Sequence, residues 1–346
     1  MPSSSPGGKP RVWYIQTEGH TDRVFDPRQY QAMLDEFDVT VNDTGRDYGA
    51  RQIAEGIAGY DAIVTGWGAP ALTAEVFQAA DALSLIAHSA GSIKGLVSRE
   101  IVDGYLVPRN ITLFSANTAI AYNVAESTVG MLLMTMHRWP DFSAYFKRTG
   151  KWKDPDVRWN GRFLKGSTVG VVAASQVGRE VIGLLRPWPL QILLYDPFVS
   201  DEQAAEMGAE KVELNDLFAR ADHITLHLPS IPSTHQMIGE EQLDLIKPGA
   251  TLVNTSRGSV LDHDALIAKC KRDEIYVCLD VTTPEPLERY SEFRMLDNVY
   301  IAPHVSGAGF YGYHKIGEQT LEALRAHFSD GAVFGAVDYA RYDLLA

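Results

Sequence analysis

Short apolar runs recur along this chain, and most are followed by a stretch with helical periodicity. Arg11–Gln16, Phe37–Val41, Tyr60–Thr65, Leu83–Ala87 and Ile111–Phe114 read as one set of strands. Thr168–Ala173, Gln191–Tyr195, His223–Leu228, Thr251–Asn254, Tyr276–Asp280 and Asn298–Ile301 read as a second. Between them lie predicted helices at Gln29–Glu36, Val177–Leu185, Asp201–Met207, Gly239–Leu245 and Asp264–Lys271. Strands separated by helices cannot close as tight hairpins, so they pair in parallel through βαβ crossovers. A length of 346 residues accommodates two such units. The expected architecture is α/β, with two doubly wound parallel-sheet domains and a cleft between them. The first takes residues 1–120 plus 306–346, because the helical stretch Gly312–Phe328 packs back onto it; the second takes 121–305.

Charge removes several function classes. The net charge of −13 disfavours nucleic acid and anionic membrane as partners, since both need a basic face. It leaves room for a small acidic ligand held by a local cation. Cys270 and Cys278 make neither a disulfide framework nor a metal cluster by spacing, and no metal is expected. Met1–Lys9 is rich in Ser, Pro and Gly and reads as disordered, without the apolar core of a secretory signal. The apolar stretch Val129–Met136 is too short to span a bilayer, so a cytoplasmic location is expected. Tyr122–His137 is apolar on several faces, which marks a buried helix and suggests a homodimer interface. Arg138–Gly161, with Trp139, Trp152 and Trp159, reads as irregular or helical surface.

Three strand ends carry chemistry. Arg257 follows the run ending at Asn254, Glu285 lies between Pro284 and Pro286 after Asp280, and His304 follows Ile301. Strand ends of an open parallel sheet converge on one crevice. A cation, a carboxylate and an imidazole there suit acid–base work on a small anion. Singly, each has a plainer reading as a capping, loop or structural residue.

A fourth strand end reads as a phosphate turn. The segment from Val169 to Arg179 is a strand, a turn and a helix start, the context of the G-x-G-x-x-G dinucleotide fingerprint. Only the last glycine, Gly178, is present; Ala173 and Ser175 fill the other places. Ser175, Gln176 and Val177 would face the pyrophosphate. Asp196 ends the next strand, 18 residues after Gly178. A carboxylate there accepts from a ribose 2′-hydroxyl and repels a 2′-phosphate, which favours NAD over NADP. The plainer reading is an ordinary βαβ unit packed with small residues.

Taken together, these segments resemble the NAD-dependent, D-isomer-specific 2-hydroxyacid dehydrogenase family over nearly the whole chain after the leader. The likeness rests on Asn254–Gly258, on Asp280-Val281 with Pro284-Glu285-Pro286, on Pro303–Gly307, on His227-Leu228-Pro229 and on Val124-Ala125-Glu126. The resemblance implies a flavodoxin-like substrate domain and a Rossmann-like dinucleotide domain. It implies hydride transfer between NAD(H) and a 2-hydroxy acid/2-oxo acid pair. Arg257 would clamp the substrate carboxylate bidentately, a task for a planar guanidinium. His304 would be the acid/base, and Glu285 would hold it and favour its charged form. His227, Pro229, Thr234, Thr255 and Asp280 would line the cofactor, and the family also implies a homodimer.

Departures from the family pattern qualify this. The substrate loop reads Ser89-Ala90-Gly91-Ser92-Ile93-Lys94 where the family has Gly-x-Gly before a polar pair. Backbone N–H groups of Ala90, Gly91 and Ser92 can still bind a carboxylate. Lys94 either adds a cation for a second acidic group or snorkels to solvent. Trp67, between two glycines, either covers substrate or is a rim aromatic. Thr283 stands where the family has an acidic or bulky side chain. Two other readings stay open: an NAD-sensing regulatory protein on the same fold, and an enzyme that recycles tightly bound NAD for a net non-redox reaction.

Overall fold

The computed structural model describes residues 8–152, 161–272, 275–307 and 310–345. The Met1–Gly7 part of the leader and Trp159 lie outside them. Contacts divide the chain into two compact units, Met1–Ile120 with Ala308–Ala346, and Ala121–Gly307.

The first unit is a five-stranded parallel sheet. Its strands are β1 (Arg11–Tyr14), β2 (Asp38–Val41), β3 (Ala62–Thr65), β4 (Leu85–His88) and β5 (Thr112–Ser115), in the order β2-β1-β3-β4-β5. Apolar residues fill β3 and β4 on both faces because helices cover both faces, and every residue of these two strands is buried. The chain's tail returns to the β5 edge. Val337 N donates to the Leu113 carbonyl at 2.7 Å, and Tyr339 Oη to the Ile111 carbonyl at 2.6 Å. That cover blunts an otherwise open sheet edge. The sequence reading did not find the short helices Glu18–Val24, Ala50–Gly56 and Ala74–Ala79. Each is one to two turns long, too short for its periodicity to stand out.

The second unit is a seven-stranded parallel sheet. Its strands are β6 (Thr168–Val172), β7 (Gln191–Tyr195), β8 (Glu210–Lys211), β9 (His223–Leu226), β10 (Thr251–Asn254), β11 (Tyr276–Leu279) and β12 (Val299–Ile301). Their order is β12-β11-β10-β9-β6-β7-β8. The order reverses about β6, so β6, β7 and β8 run to one side and β9 to β12 to the other. This is the doubly wound arrangement that opens a crevice at the carboxyl ends of its strands. One face of the sheet packs Leu193, Ile224, Leu252 and Val277 against its helices, and the other packs Val171, Leu194, Val253 and Cys278.

The apolar stretch expected at Tyr122–His137 is part of a longer helix, Asn117–Met136. It is not buried all round. Ala121, Ala125, Thr128, Leu132 and Thr135 form a buried stripe at helical spacing, while Tyr122, Glu126 and Gly130 are exposed. The helix Trp139–Thr149 follows, with none of its residues buried. Among the described residues, no helix is long and apolar enough to cross a membrane.

Candidate functional site

The catalytic trio predicted from sequence sits at the ends of three adjacent parallel strands, β10, β11 and β12. Glu285 links them chemically. Its Oε2 lies 2.9 Å from His304 Nδ1, and its Oε1 accepts from the Thr282 backbone N–H at 3.0 Å. A carboxylate on Nδ1 fixes a proton there, which leaves Nε2 as the working nitrogen. Both side chains remain open to solvent, His304 at 52% exposure and Glu285 at 39%.

Local backbone explains why His304 presents itself this way. The residue has φ 54°, in the left-handed region that side chains other than glycine seldom occupy. Strain of this kind persists where its surroundings over-determine it. Here the His304 N–H donates to the Asp280 carbonyl at 2.8 Å. The Asp280 carboxylate accepts from Val305 N at 2.8 Å and Ser306 N at 3.0 Å. The Ser127 hydroxyl donates to the Ser306 carbonyl at 3.0 Å, and Asn123 Nδ2 to that of Gly307 at 3.3 Å. Asp280, expected beside the cofactor, thus also braces the histidine turn. Asn123 and Ser127 were not singled out from sequence, because their role depends on a helix remote in the chain.

Arg257 is held from the backbone side. Asn254 Nδ2 donates to the Arg257 carbonyl at 2.9 Å, and Asn254 Oδ1 accepts from Ser256 N and Oγ at 3.0 and 2.7 Å. The guanidinium spends one N–H on the Ser256 carbonyl at 2.7 Å. Among the described residues, it makes no ion pair. Burial pulls its pKa below the ordinary arginine value, and the Glu285 charge opposes that pull. It remains a cation, and a desolvated cation without a counter-ion is a receptor for an anion. Gly258, the next residue, has no space for a side chain: a Cβ would stand 2.1 Å from the Thr282 carbonyl carbon. The Arg257 and Glu285 segments therefore touch backbone to backbone.

The phosphate turn is built differently. Ala173 adopts φ 77°, a glycine-like conformation held by an alanine. A Cβ on Gly178 would meet the Ala173 carbonyl oxygen at 2.1 Å, so the surviving glycine is sterically required. Ser175 caps the ten-residue helix Gln176–Leu185 by accepting from Gly178 N at 3.3 Å. The serine oxygen thus serves the helix itself. Asp196 is buried, and its two oxygens accept from Ala174 N and Phe198 N, each at 2.8 Å. Its first duty is to tie the turn to the end of β7, with further lone pairs left for ribose hydroxyls. A close turn, a capped helix N-terminus and a carboxylate at the neighbouring strand end fit a dinucleotide.

Thr234 and Thr255 are hydrogen-bonded within the protein, and among the described residues His227 is through one ring nitrogen only. Thr234 Oγ donates to the Pro229 carbonyl and accepts from Ile231 N. Thr255 Oγ1 lies 2.7 Å from Thr128 Oγ1, which also donates to the Val124 carbonyl at 2.7 Å. Thr128 has one hydroxyl hydrogen, so Thr255 is the donor in their pair. His227 is fully buried beneath the turn, with Nε2 3.0 Å from Thr225 Oγ1. Burial pushes its pKa down to about 3, which keeps it neutral.

In the first unit, Ala90 and Gly91 are buried and Ser92 is exposed. The Ser115 hydroxyl donates to the Gly91 carbonyl at 2.6 Å and fixes the loop. Lys94 Nζ donates to the Asp343 carbonyl at 3.2 Å, so its ammonium is directed to the chain's tail. Trp67 is 40% exposed and edge-on to Tyr313, with centroids 5.5 Å apart.

Comparison with known proteins gives a consistent result. Residues 129–306 match D-isomer specific 2-hydroxyacid dehydrogenase, NAD binding domain. A glyoxylate reductase of Korarchaeum cryptofilum is 32% identical over 280 residues, covering 79% of this chain and 81% of that protein. A D-3-phosphoglycerate dehydrogenase of Methanocaldococcus jannaschii is 32% identical over 289 residues, covering 82% of this chain and 53% of its own length. The chain thus spans about half the length of such D-3-phosphoglycerate dehydrogenases. Among solved structures, the fold matches a phosphoglycerate oxidoreductase from Rhizobium etli with a TM-score of 0.81 and 21% identity, covering 96% of this chain and 99% of that one. It also matches the apo D-mandelate dehydrogenase of Rhodotorula graminis with a TM-score of 0.80 and 21% identity, covering 95% and 98%.

Proposed function

Because this chain belongs to the D-isomer specific 2-hydroxyacid dehydrogenase family and residues 129–306 are its NAD binding domain, we propose that it interconverts a 2-hydroxy acid and its 2-oxo acid with NAD(H). The observation that supports this most directly is the His304–Glu285 contact near Arg257, which makes no ion pair among the described residues. Arg257 binds the substrate carboxylate through two N–H groups, which orients the 2-carbon. His304 Nε2 takes the hydroxyl proton during oxidation and returns it to the carbonyl oxygen during reduction. Glu285 holds the ring through Nδ1 and stabilises the imidazolium that forms. NAD, when bound, supplies the hydride acceptor and NADH the donor. The first turn of the helix Gln176–Leu185 and the carboxylate of Asp196 are the residues suited to hold its pyrophosphate and ribose, and the same carboxylate disfavours a 2′-phosphate.

The Ala90–Ser92 loop and Trp67 are assigned to the substrate. Lys94 spends one of its three N–H donors on the Asp343 carbonyl and keeps two for an acidic group of the substrate. We assign a homodimer contact to the Tyr122–His137 region and the helix after it, on the basis of exposed Tyr122, Trp139 and Phe146. Light scattering that gives a monomer mass would end the dimer assignment. The dehydrogenase reading is tested by NADH oxidation across glyoxylate and other 2-oxo acids, aromatic and dicarboxylic ones included. Turnover with at least one of them is the expected result, and none with any of them overturns the reading.

A further inference from the structure

Thr282 stands where the cation and carboxylate segments meet, and three contacts converge on it. Its backbone N–H donates to Glu285 Oε1 at 3.0 Å. Its hydroxyl donates to the Pro284 carbonyl at 2.8 Å, closing the turn that carries Glu285. Its carbonyl lies against Gly258 so closely that a Cβ there would stand 2.3 Å from the carbonyl oxygen. Thr282 itself is buried at 7% exposure, whereas Thr283, Pro284, Glu285 and Pro286 are all exposed. A solvent-facing loop has little packing of its own to hold a carboxylate in place. Its only buried end is this threonine.

We propose that Thr282 is a positioning residue for the Glu285–His304 pair, its hydroxyl holding the 282–285 turn so that Glu285 reaches His304 Nδ1. The proposal rests on the dehydrogenase reading for its kinetic consequence, though not for its structural one. The chain of cause is short. The hydroxyl fixes the Pro284 carbonyl, the turn fixes the Glu285 side chain, and Glu285 fixes the proton on Nδ1. Arg257 lies outside this chain, because Asn254 holds its carbonyl separately. Losing the Thr282 hydroxyl therefore weakens the acid/base step and spares carboxylate binding. A role confined to packing would not divide the two.

The test compares Thr282→Val, which exchanges the hydroxyl for a methyl of the same shape, with Thr282→Ser, which keeps it. The full chain is labelled with 15N-histidine, and the His304 ring tautomer is read by NMR without cofactor. In parallel, NADH-driven reduction is followed with glyoxylate, or with the best 2-oxo acid found. Thr282→Val should reduce the Nδ1–H signature of His304 and lower kcat on the order of tenfold, the effect of one hydrogen bond. KM for the 2-oxo acid should stay within about twofold of wild type, since Arg257 keeps its own support. Thr282→Ser should keep the signature and recover most of kcat. Wild-type tautomer and kcat in Thr282→Val would overturn the proposal, as would equal losses in the serine and valine variants. If the wild-type chain reduces no 2-oxo acid, the dehydrogenase reading falls, and the NMR comparison alone decides the role of Thr282.

Discussion

The segments proposed for catalysis and the turn proposed for the pyrophosphate lie in the same unit, at the ends of the same parallel sheet, yet they are specified in opposite ways. At Arg257, Glu285 and His304 the proposed chemistry resides in side chains, and a cation, a carboxylate and an imidazole are all present. At Ala173–Ser175 it resides in backbone shape, and the residues are not the usual ones. The structure nonetheless gives the turn the shape that glycine would have given it. Ala173 occupies a left-handed conformation; its N–H donates to the Tyr195 carbonyl, its own carbonyl packs on Gly178, and Asp196 binds the next N–H, that of Ala174. A functional side chain has few substitutes, whereas a backbone conformation can be reached by several sequences when neighbours supply the energy.

If this contrast is right, changing the catalytic side chains has the largest effect. His304→Ala and Arg257→Ala should each lower kcat/KM for the 2-oxo acid by about 10³-fold or more, with Arg257→Ala also raising KM. Arg257→Lys should recover little, since an ammonium cannot bind a carboxylate bidentately. Steady-state kinetics with NADH decides this. Near-wild-type rates in either alanine variant would remove that residue from its assigned role.

Substituting the two close-packed glycines should produce the next largest change, in stability. Gly258→Ala and Gly178→Ala would each force a methyl to within 2.1 Å of a backbone atom. Overpacking of this kind costs about 1–3 kcal/mol or more. Urea melts should show both variants less stable, with Gly258→Ala also losing activity because the Arg257 and Glu285 segments separate. An unchanged melt would mean that the backbone gives way more easily than its contacts indicate.

These effects bear on what could be read from the sequence. The apolar runs located eleven of the twelve described strands, because buried parallel strands need continuous apolar residues; the charged two-residue strand Glu210–Lys211 left no such signal. The trio was legible because Arg, Glu and His at strand ends have a chemical reading independent of geometry. Asn254, Thr282, Ser127 and Asn123 were not, because their work is hydrogen bonding to backbone that only folding brings near. Asp196 was found for one role and carries another, since the sequence does not show that Ala174 N lies 2.8 Å away. The helix expected at Tyr122–His137 begins earlier, at Asn117, and its exposed side was missed: Tyr122 and Glu126 interrupt a pattern that looked apolar all round.

Acid should destabilise the protein through its buried histidines. His227 beneath the turn and His223 at the start of β9 are buried, with pKa values lowered to about 3 and about 4 by burial. In the first unit His20 and His88 are each lowered to about 4, again by burial. All four are neutral when folded and take up protons near pH 6.5 when unfolded. Stability is therefore at its full value above about pH 6.5 and falls as pH drops towards 4, by about 1.4 kcal/mol per pH unit for each proton taken up. Denaturant melts between pH 7 and pH 5 check this, and stability that stays level or rises on acidification would contradict the burial of these rings.

Asp196→Asn tests the tie between β7 and the turn. An amide keeps one acceptor and turns a donor towards a backbone N–H, so one of the two 2.8 Å bonds is lost. The expected cost is about 1–3 kcal/mol of stability. The preference for NAD over NADP should fall as well, because the charge that repels a 2′-phosphate is gone. Calorimetry with both cofactors measures the second effect. An unchanged ratio would assign Asp196 to the turn alone.

The smallest expected effect bears most closely on the contrast. Ala173→Gly removes a methyl and with it the penalty of a left-handed conformation, which for a side-chain residue is about 1–2 kcal/mol. Part of that gain is lost because glycine is freer in the unfolded chain, so a net stabilisation of about 0.5–1 kcal/mol is expected. If Ala173 is strained but already correctly shaped, NAD should bind only slightly more tightly, within about threefold. A much larger gain would mean that the methyl obstructs the pyrophosphate and that the turn is impaired. A loss of stability would mean that neighbours do not hold the alanine under strain, and the comparison between side-chain and backbone specification would then fail at its weaker half.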